Sequence, residues 1–343
     1  MKTIKLYQQD VYMKECEAEI ISAEKTDDGG SGAILLEFDR TVFFPTGGGQ
    51  SCDRGQVFIL ADGARENAEA VFEIIDVFEN GDRILHRAVP RNADAEFPAA
   101  GTRVLQKIDW ERRFDNMQRH CGEHILSGMF YREFGGVNRG FHMGDDYMTI
   151  DISLEEKPEF KMLTWDMAKH AELCANEVIW RNEPVITRRF ETREEAAGMP
   201  LRKALAIDED ITIVCVGSTE NASDCVACCG THPSSAGQIG LIKIWKIEPN
   251  KGMFRVYCEA GKRAYLDYEK KHDIITAIGN KYSAGIDDLE DKMAASEEKN
   301  KALRFELGAM RKIVIDSRIA DIQNELTGNI SSNGLLLFYH FNI

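Results

Sequence analysis

Residues 109–136 read D-W-E-R-R-F-D-N-M-Q-R-H-C-G-E-H-I-L-S-G-M-F-Y-R-E-F-G-G, and here a strand-like pattern gives way to a helical one. Asp109 suits a helix N-cap, because its short carboxylate can accept from the free amides of a first turn. Gly135-Gly136 suits the stop after Phe134. The spacing predicts one long helix carrying His120 and His124 on one face. Before it, residues 33–38, 41–44, 57–60 and 71–77 are short β-prone runs bounded by Gly, Asp and Asn. Strands so spaced predict a small β-barrel, and residues 90–101, rich in Ala, Pro and Asp, read as the connection to the next domain.

After the helix, strand patterns at 147–152, 211–216, 240–247 and 254–258 are mixed with a helical stretch at 160–181. Helices and strands do not alternate strictly, so the fold class is α+β. Beyond Tyr268, Ile275, Ile278, Tyr282, Ile286, Leu289 and Met293, then Leu303, Leu307, Met310 and Val314, fall on alternating steps of three and four. Ser296 and Asn300 interrupt that seam. The pattern predicts a helical hairpin or coiled coil, with packing on its own domain as the alternative. Residues 335–339 begin like a buried strand and suggest that a further domain follows them. The expected divisions are a barrel over 1–95, a core over 96–268 and a helical, coiled-coil-like segment over 269–343.

The chain has 343 residues, 43% hydrophobic and 29% charged, enough for a sizeable core and about two or three domains. No apolar run approaches the roughly 20 residues of a membrane span, and the N-terminus is too polar for a secretory signal. Nine cysteines without an export signal predict reduced thiols or metal ligands in the cytoplasm rather than a disulfide framework. A net charge of -15 argues against a protein that coats polyphosphate indiscriminately. It leaves room for a local basic face, for which Arg112, Arg113, Arg119, Arg132, Lys262 and Arg263 are candidates.

Three segments carry chemistry. His120-Cys121-Gly122-Glu123-His124 lets two imidazoles one helical turn apart reach one ion, with Glu123 expected to point elsewhere. Cys228 and His232, four apart and followed by Pro233, can wrap a metal from a tight turn, and this donor set suits zinc. Cys225 with Cys228 or Cys229 could instead supply thiolates, but the spacing favours Cys228. The third segment, residues 43–55, contains Gly47-Gly48-Gly49-Gln50, whose bare backbone can approach a ligand closely. It lacks the Lys-Ser/Thr ending of a phosphate-binding loop, so nucleotide hydrolysis is not indicated.

In their order, the stretch from Phe43 to Gln50, the His120/His124 helix and Cys228-Cys229-Gly230-Thr231-His232 with Gly237-Gln238-Ile239-Gly240 resemble the editing domain of alanyl-tRNA synthetase and its free-standing AlaX relatives. Cys229, Pro233 and Gln238 stand where the family usually has glycine, valine and glutamate. The resemblance spans residues 1–265 and implies an editing core of the threonyl/alanyl-tRNA synthetase type. It also implies Zn2+ held by His120, His124, Cys228 and His232, and hydrolysis of seryl- and glycyl-tRNA(Ala). Thr41 would contact the serine hydroxyl, Gly47, Gly48, Gly49 and Gln50 would line the pocket, and the C-terminal helices would form a homodimer. Four protein ligands leave zinc no open position, which favours anchoring substrate over activating water. No residue stands out as a general base. The rival reading is a non-catalytic tRNA-binding or dimerisation module with a structural zinc.

Overall fold

The computed structural model describes residues 2–26, 32–60, 70–91, 97–157 and 159–328, so the run at 335–339 lies outside the described residues. The chain divides into two compact units, Met1–Tyr268 and Glu269–Ile343.

In the first unit, six strands close a barrel in the order Glu15–Lys25, Ile34–Phe38, Arg83–Pro90, Ala70–Asn80, Gly55–Ile59 and Arg103–Ile108. Alternate side chains such as Ile20, Leu36, Phe38, Val57, Ile74 and Val104 point inward and are almost wholly buried, as period-two patterning requires. The closing strand lies beyond residue 95, so the expected boundary falls inside the barrel. The segment expected to connect to the next domain instead returns the chain to the first.

A second correction concerns residues 41–44. Only Arg40–Thr41 forms a strand, paired in parallel with Ile4–Lys5. The following amides bond to side chains rather than to a neighbouring strand. Val42 N–H donates to Gln106 Oε1 at 3.1 Å, Phe43 N–H to Thr41 Oγ1 at 3.1 Å, and Phe44 N–H to Asp53 Oδ2 at 2.7 Å. A β-prone composition is overridden because every donor already has an acceptor.

Helix α1, Trp110–Phe134, starts and stops where its caps predict. Asp109 Oδ1 accepts from Arg112 N–H at 3.1 Å, and Gly135 adopts φ 62°, a left-handed conformation that glycine tolerates. Helix α2, Trp165–Trp180, is shorter than expected because Thr164 caps it. Both helices pack against an antiparallel sheet ordered Ile242–Asn250, Met253–Ala260, Met148–Ser153 and Val137–Met143. A smaller sheet of Val185–Thr192, Glu209–Ser218 and Asn221–Ala227 carries the short α3, Arg193–Ala196, against it. In that sheet Cys215 and Cys225 stand directly opposite and form a disulfide, which departs from the expectation at one pair, while the other seven cysteines are free.

Two buried ion pairs and one partly exposed pair tie α1 into its surroundings. Arg113 and Asp53 are both fully buried and paired, and the guanidinium also donates to Val42 O at 2.6 Å and Val11 O at 2.9 Å. Arg119 pairs with Glu259 at 2.6 Å in the core, and Arg263 with Asp115 at 2.9 Å. Two of the six residues expected on a basic face, Arg113 and Arg119, are therefore spent inside the protein, because buried charge requires a partner. Helix α4, Gly261–Tyr282, leads into the second unit, which contains the 40-residue α5, Leu289–Gly328. No helix among the described residues is long and apolar enough to cross a membrane.

Candidate functional site

His120 and His124 project from α1, and Cys228 and His232 follow the strand Asn221–Ala227. Cys228 Sγ lies 3.4 Å from His120 Nε2 and 3.8 Å from His232 Nε2, and His232 Nε2 lies 3.4 Å from His124 Nε2. A tetrahedral zinc, with bonds of about 2.0–2.1 Å to nitrogen and 2.3 Å to sulfur, needs edges of about 3.4 Å and 3.6 Å. Three of the six edges of this donor set thus closely match a tetrahedral ion, and all four donor atoms lie within 4.8 Å of one another. A second trio, Glu133, His170 and Cys174, also clusters. It offers one ligand fewer, and Glu133 is already bound to Arg132 at 2.9 Å.

The protein around the cluster orients these ligands. Gln50 Oε1 lies 2.9 Å from His120 Nδ1 and accepts its N–H, which leaves Nε2 free for a metal. Asp224 Oδ2 lies 3.4 Å from His124 Nδ1, and Asp224 is itself held by Arg202 at 2.5 Å. Gly230 N–H points at Cys228 Sγ at 3.4 Å. Only glycine fits at Gly230, since a Cβ there would stand 2.3 Å from the His120 ring.

The charges follow from this packing. Burial opposes ionisation of Cys228, yet the imidazoles of His120, His232 and His124 hold its thiol well below the ordinary range. Burial also lowers His124, but Cys228 and Asp224 outweigh it and raise the imidazole well above its usual value. For His232 burial dominates and pushes the ring down to about 4. A thiolate ringed by imidazoles is a soft, electron-rich donor set suited to a borderline-soft cation.

The cluster opens onto a cavity of about 590 Å³. Gly47 and Gly48 form part of its wall, and so do His120, His124, Phe141 and Cys228. Gly49 turns against Phe141, where a Cβ would come within 2.5 Å of the ring. Gly49 is thus off the wall, and two further expected pocket residues are elsewhere. Gln50 is fully buried behind His120, also bonded to Thr231 at 2.8 Å, so it holds a ligand rather than facing the cavity. Thr41 sits in the barrel interior, 2.8 Å from His86 Nε2 and 3.2 Å from Gln106 Oε1, and is absent from the wall.

Glu123 corrects a further expectation. It lines the cavity and is 6% exposed, with Oε2 4.0 Å from His124 Nε2. The signal was present, since Glu123 is three residues after His120 and therefore shares its face. Asp224 and Arg202 left no such signal, because only the sheet brings them to α1.

A barrel bearing a glycine loop, docked on a helix-and-sheet core with a three-imidazole, one-thiolate centre, defines a class of two-part proteins built around a candidate metal site. Residues 211–257 match the family model described as the threonyl and alanyl tRNA synthetase second additional domain. The chain is 35% identical over 254 residues to the alanyl-tRNA editing protein AlaX-M of Methanosarcina acetivorans, covering 72% of this chain and 94% of that protein. It is 31% identical over 262 residues to AlaX-L of Pyrococcus horikoshii, covering 76% of this chain and 58% of that protein. It is 28% identical over 323 residues to the alanine–tRNA ligase of Ignicoccus hospitalis, covering 91% of this chain and 32% of the ligase. The chain belongs to the alanyl-tRNA editing protein family. It spans little more than half the length of AlaX-L and about a third of the ligase.

Proposed function

We propose that this chain is a trans-editing deacylase that hydrolyses the ester linking serine, and also glycine, to tRNA(Ala). The observation that carries this reading is the convergence of His120, His124, Cys228 and His232, their donor atoms within 4.8 Å of one another, beside a glycine-walled cavity, in a member of the alanyl-tRNA editing family. Zn2+ bound by those four residues would supply electrostatic polarisation of the ester or an anchor for the terminal ribose.

The rest of the work falls to the chain itself. Gly47 and Gly48 bring backbone close to the aminoacyl end, with no side chain to keep it out. Gln50 holds the His120 ring through its Nδ1–H, and Asp224 stands 3.4 Å from His124 Nδ1 as its charge partner. Lys203, exposed at the cavity margin without a partner among the described residues, is free to meet a phosphate of the tRNA. Leu307, Met310 and Val314, at least half exposed on α5, offer an apolar face for a homodimer. The cytoplasm is where such a substrate is found.

The need for such an enzyme is physical. A pocket shaped for alanine rejects glycine by only about 1–3 kcal/mol, and discriminates weakly against one added hydroxyl. A second site that hydrolyses the wrong esters corrects both errors. A second reading, a tRNA-binding module with a structural zinc, draws on the fact that four protein ligands close the metal's shell. Deacylation of seryl-tRNA(Ala) by the purified chain, with and without chelator, decides between them. We expect hydrolysis that is lost on chelation and in a His120→Ala/His124→Ala variant. Hydrolysis that survives both treatments removes the metal from the reaction, and none at all leaves the binding module.

A further inference from the structure

We infer that Glu123 is the anchor for the α-ammonium group of the aminoacyl ester, a deepening that rests on the deacylase reading. Three acidic residues line the cavity: Glu79, Glu123 and Asp210. Glu79 is paired with Lys5 at 2.6 Å, and Asp210 is exposed. Glu123 alone is buried beside the candidate metal centre.

Its two oxygens are used differently. Oε1 accepts from Ser127 Oγ at 2.6 Å and from Asn138 Nδ2 at 2.7 Å, which fixes the carboxylate plane. Oε2 accepts no hydrogen bond among the described residues, and its one ion-pair contact is with His124 Nε2, 4.0 Å away. The nearby guanidinium groups are committed elsewhere, Arg202 to Asp224 and Arg139 to Glu155. Glu123 therefore has no lysine or arginine partner among the described residues.

His124, the ion-pair contact of Oε2, is itself a candidate metal ligand, and a carboxylate nine-tenths removed from water is costly unless a cation meets it. In an aminoacyl ester the ammonium nitrogen is one carbon from the carbonyl. An ammonium at Oε2 therefore sets the carbonyl beside the metal-facing nitrogen of His124. The same contact separates aminoacyl-tRNA from uncharged tRNA and from acyl groups without an amine.

The test compares seryl-tRNA(Ala) with glyceryl-tRNA(Ala), made from it by nitrous acid, in which a hydroxyl replaces the ammonium at nearly equal size. Wild type should prefer the seryl ester in kcat/KM. Glu123→Gln should reduce that preference by about 10–100-fold, the range expected for a charged hydrogen bond, with the loss on the seryl ester appearing mainly in KM. Glu123→Asp, which keeps the charge but shortens the arm, should fall between them, and zinc content should stay at one per chain in both variants. A wild type without preference overturns the proposal. So does a Glu123→Gln variant that keeps the preference, or that loses both esters equally. Absence of any hydrolysis by wild type is a different result, and it removes the deacylase reading together with this one.

Discussion

Gln50 Oε1 lies 2.9 Å from Nδ1 of His120, although 70 residues separate them. The same oxygen accepts Thr231 N–H at 3.0 Å, so one amide ties the barrel's glycine loop to both halves of the candidate metal centre. Replacing Gln50 by Ala frees the His120 ring to turn. Zinc affinity should fall by about 10–100-fold, the usual cost of losing a ligand's supporting partner. Competition with a chromogenic chelator measures it, and unchanged affinity would mean that Gln50 has no part in holding the site.

Two adjacent cysteines differ in what they face. Cys228 Sγ stands among the imidazoles, whereas Cys229 is exposed beside Gly48. Cys228→Ala should drop bound zinc well below one per chain, and Cys229→Ala should retain it. Metal analysis of the two purified variants reads this directly, and the reverse result would assign the ligand to Cys229.

Thr41 has one hydroxyl proton and two acceptors in reach, and His86 Nε2 at 2.8 Å takes it in preference to Gln106 Oε1 at 3.2 Å. The His86 Nδ1–H faces Leu36 O at 3.2 Å, so Nε2 must accept. Thr41→Val leaves that nitrogen buried without a donor and should cost about 1–3 kcal/mol in urea unfolding. Hydrolysis of seryl- and glycyl-tRNA(Ala) should then decline together. A selective loss on serine at unchanged stability would restore the direct contact that the family resemblance implies.

His86 also makes stability depend on pH. Burial lowers its imidazole from 6.5 to about 4. Between those values the unfolded chain binds a proton that the folded chain refuses. Stability should therefore be full above about pH 6.5 and decline as pH falls toward 4, by up to about 3 kcal/mol from this group. Urea unfolding at pH 7 and 4.5 should show a smaller decline in a His86→Gln variant than in wild type. Equal slopes in the two proteins would remove His86 as the source.

By itself the sequence determined the elements and the ligand pairs. Asp109 and Gly135 mark the ends of α1 through local backbone chemistry, and residues four apart on a helix or tight turn share a face wherever the chain goes. The α+β class likewise follows from local periodicity. Only the tertiary structure decided what those pairs meet. Cys228 reaches His120 across 108 residues because the smaller sheet packs on α1, and the same packing delivers Asp224 and Arg202. It also moved Thr41 and Gln50 away from the cavity and turned Glu123 into it. Which donor a buried hydroxyl, amide or carboxylate finds depends on elements far apart in the chain, and no local spacing encodes that partner.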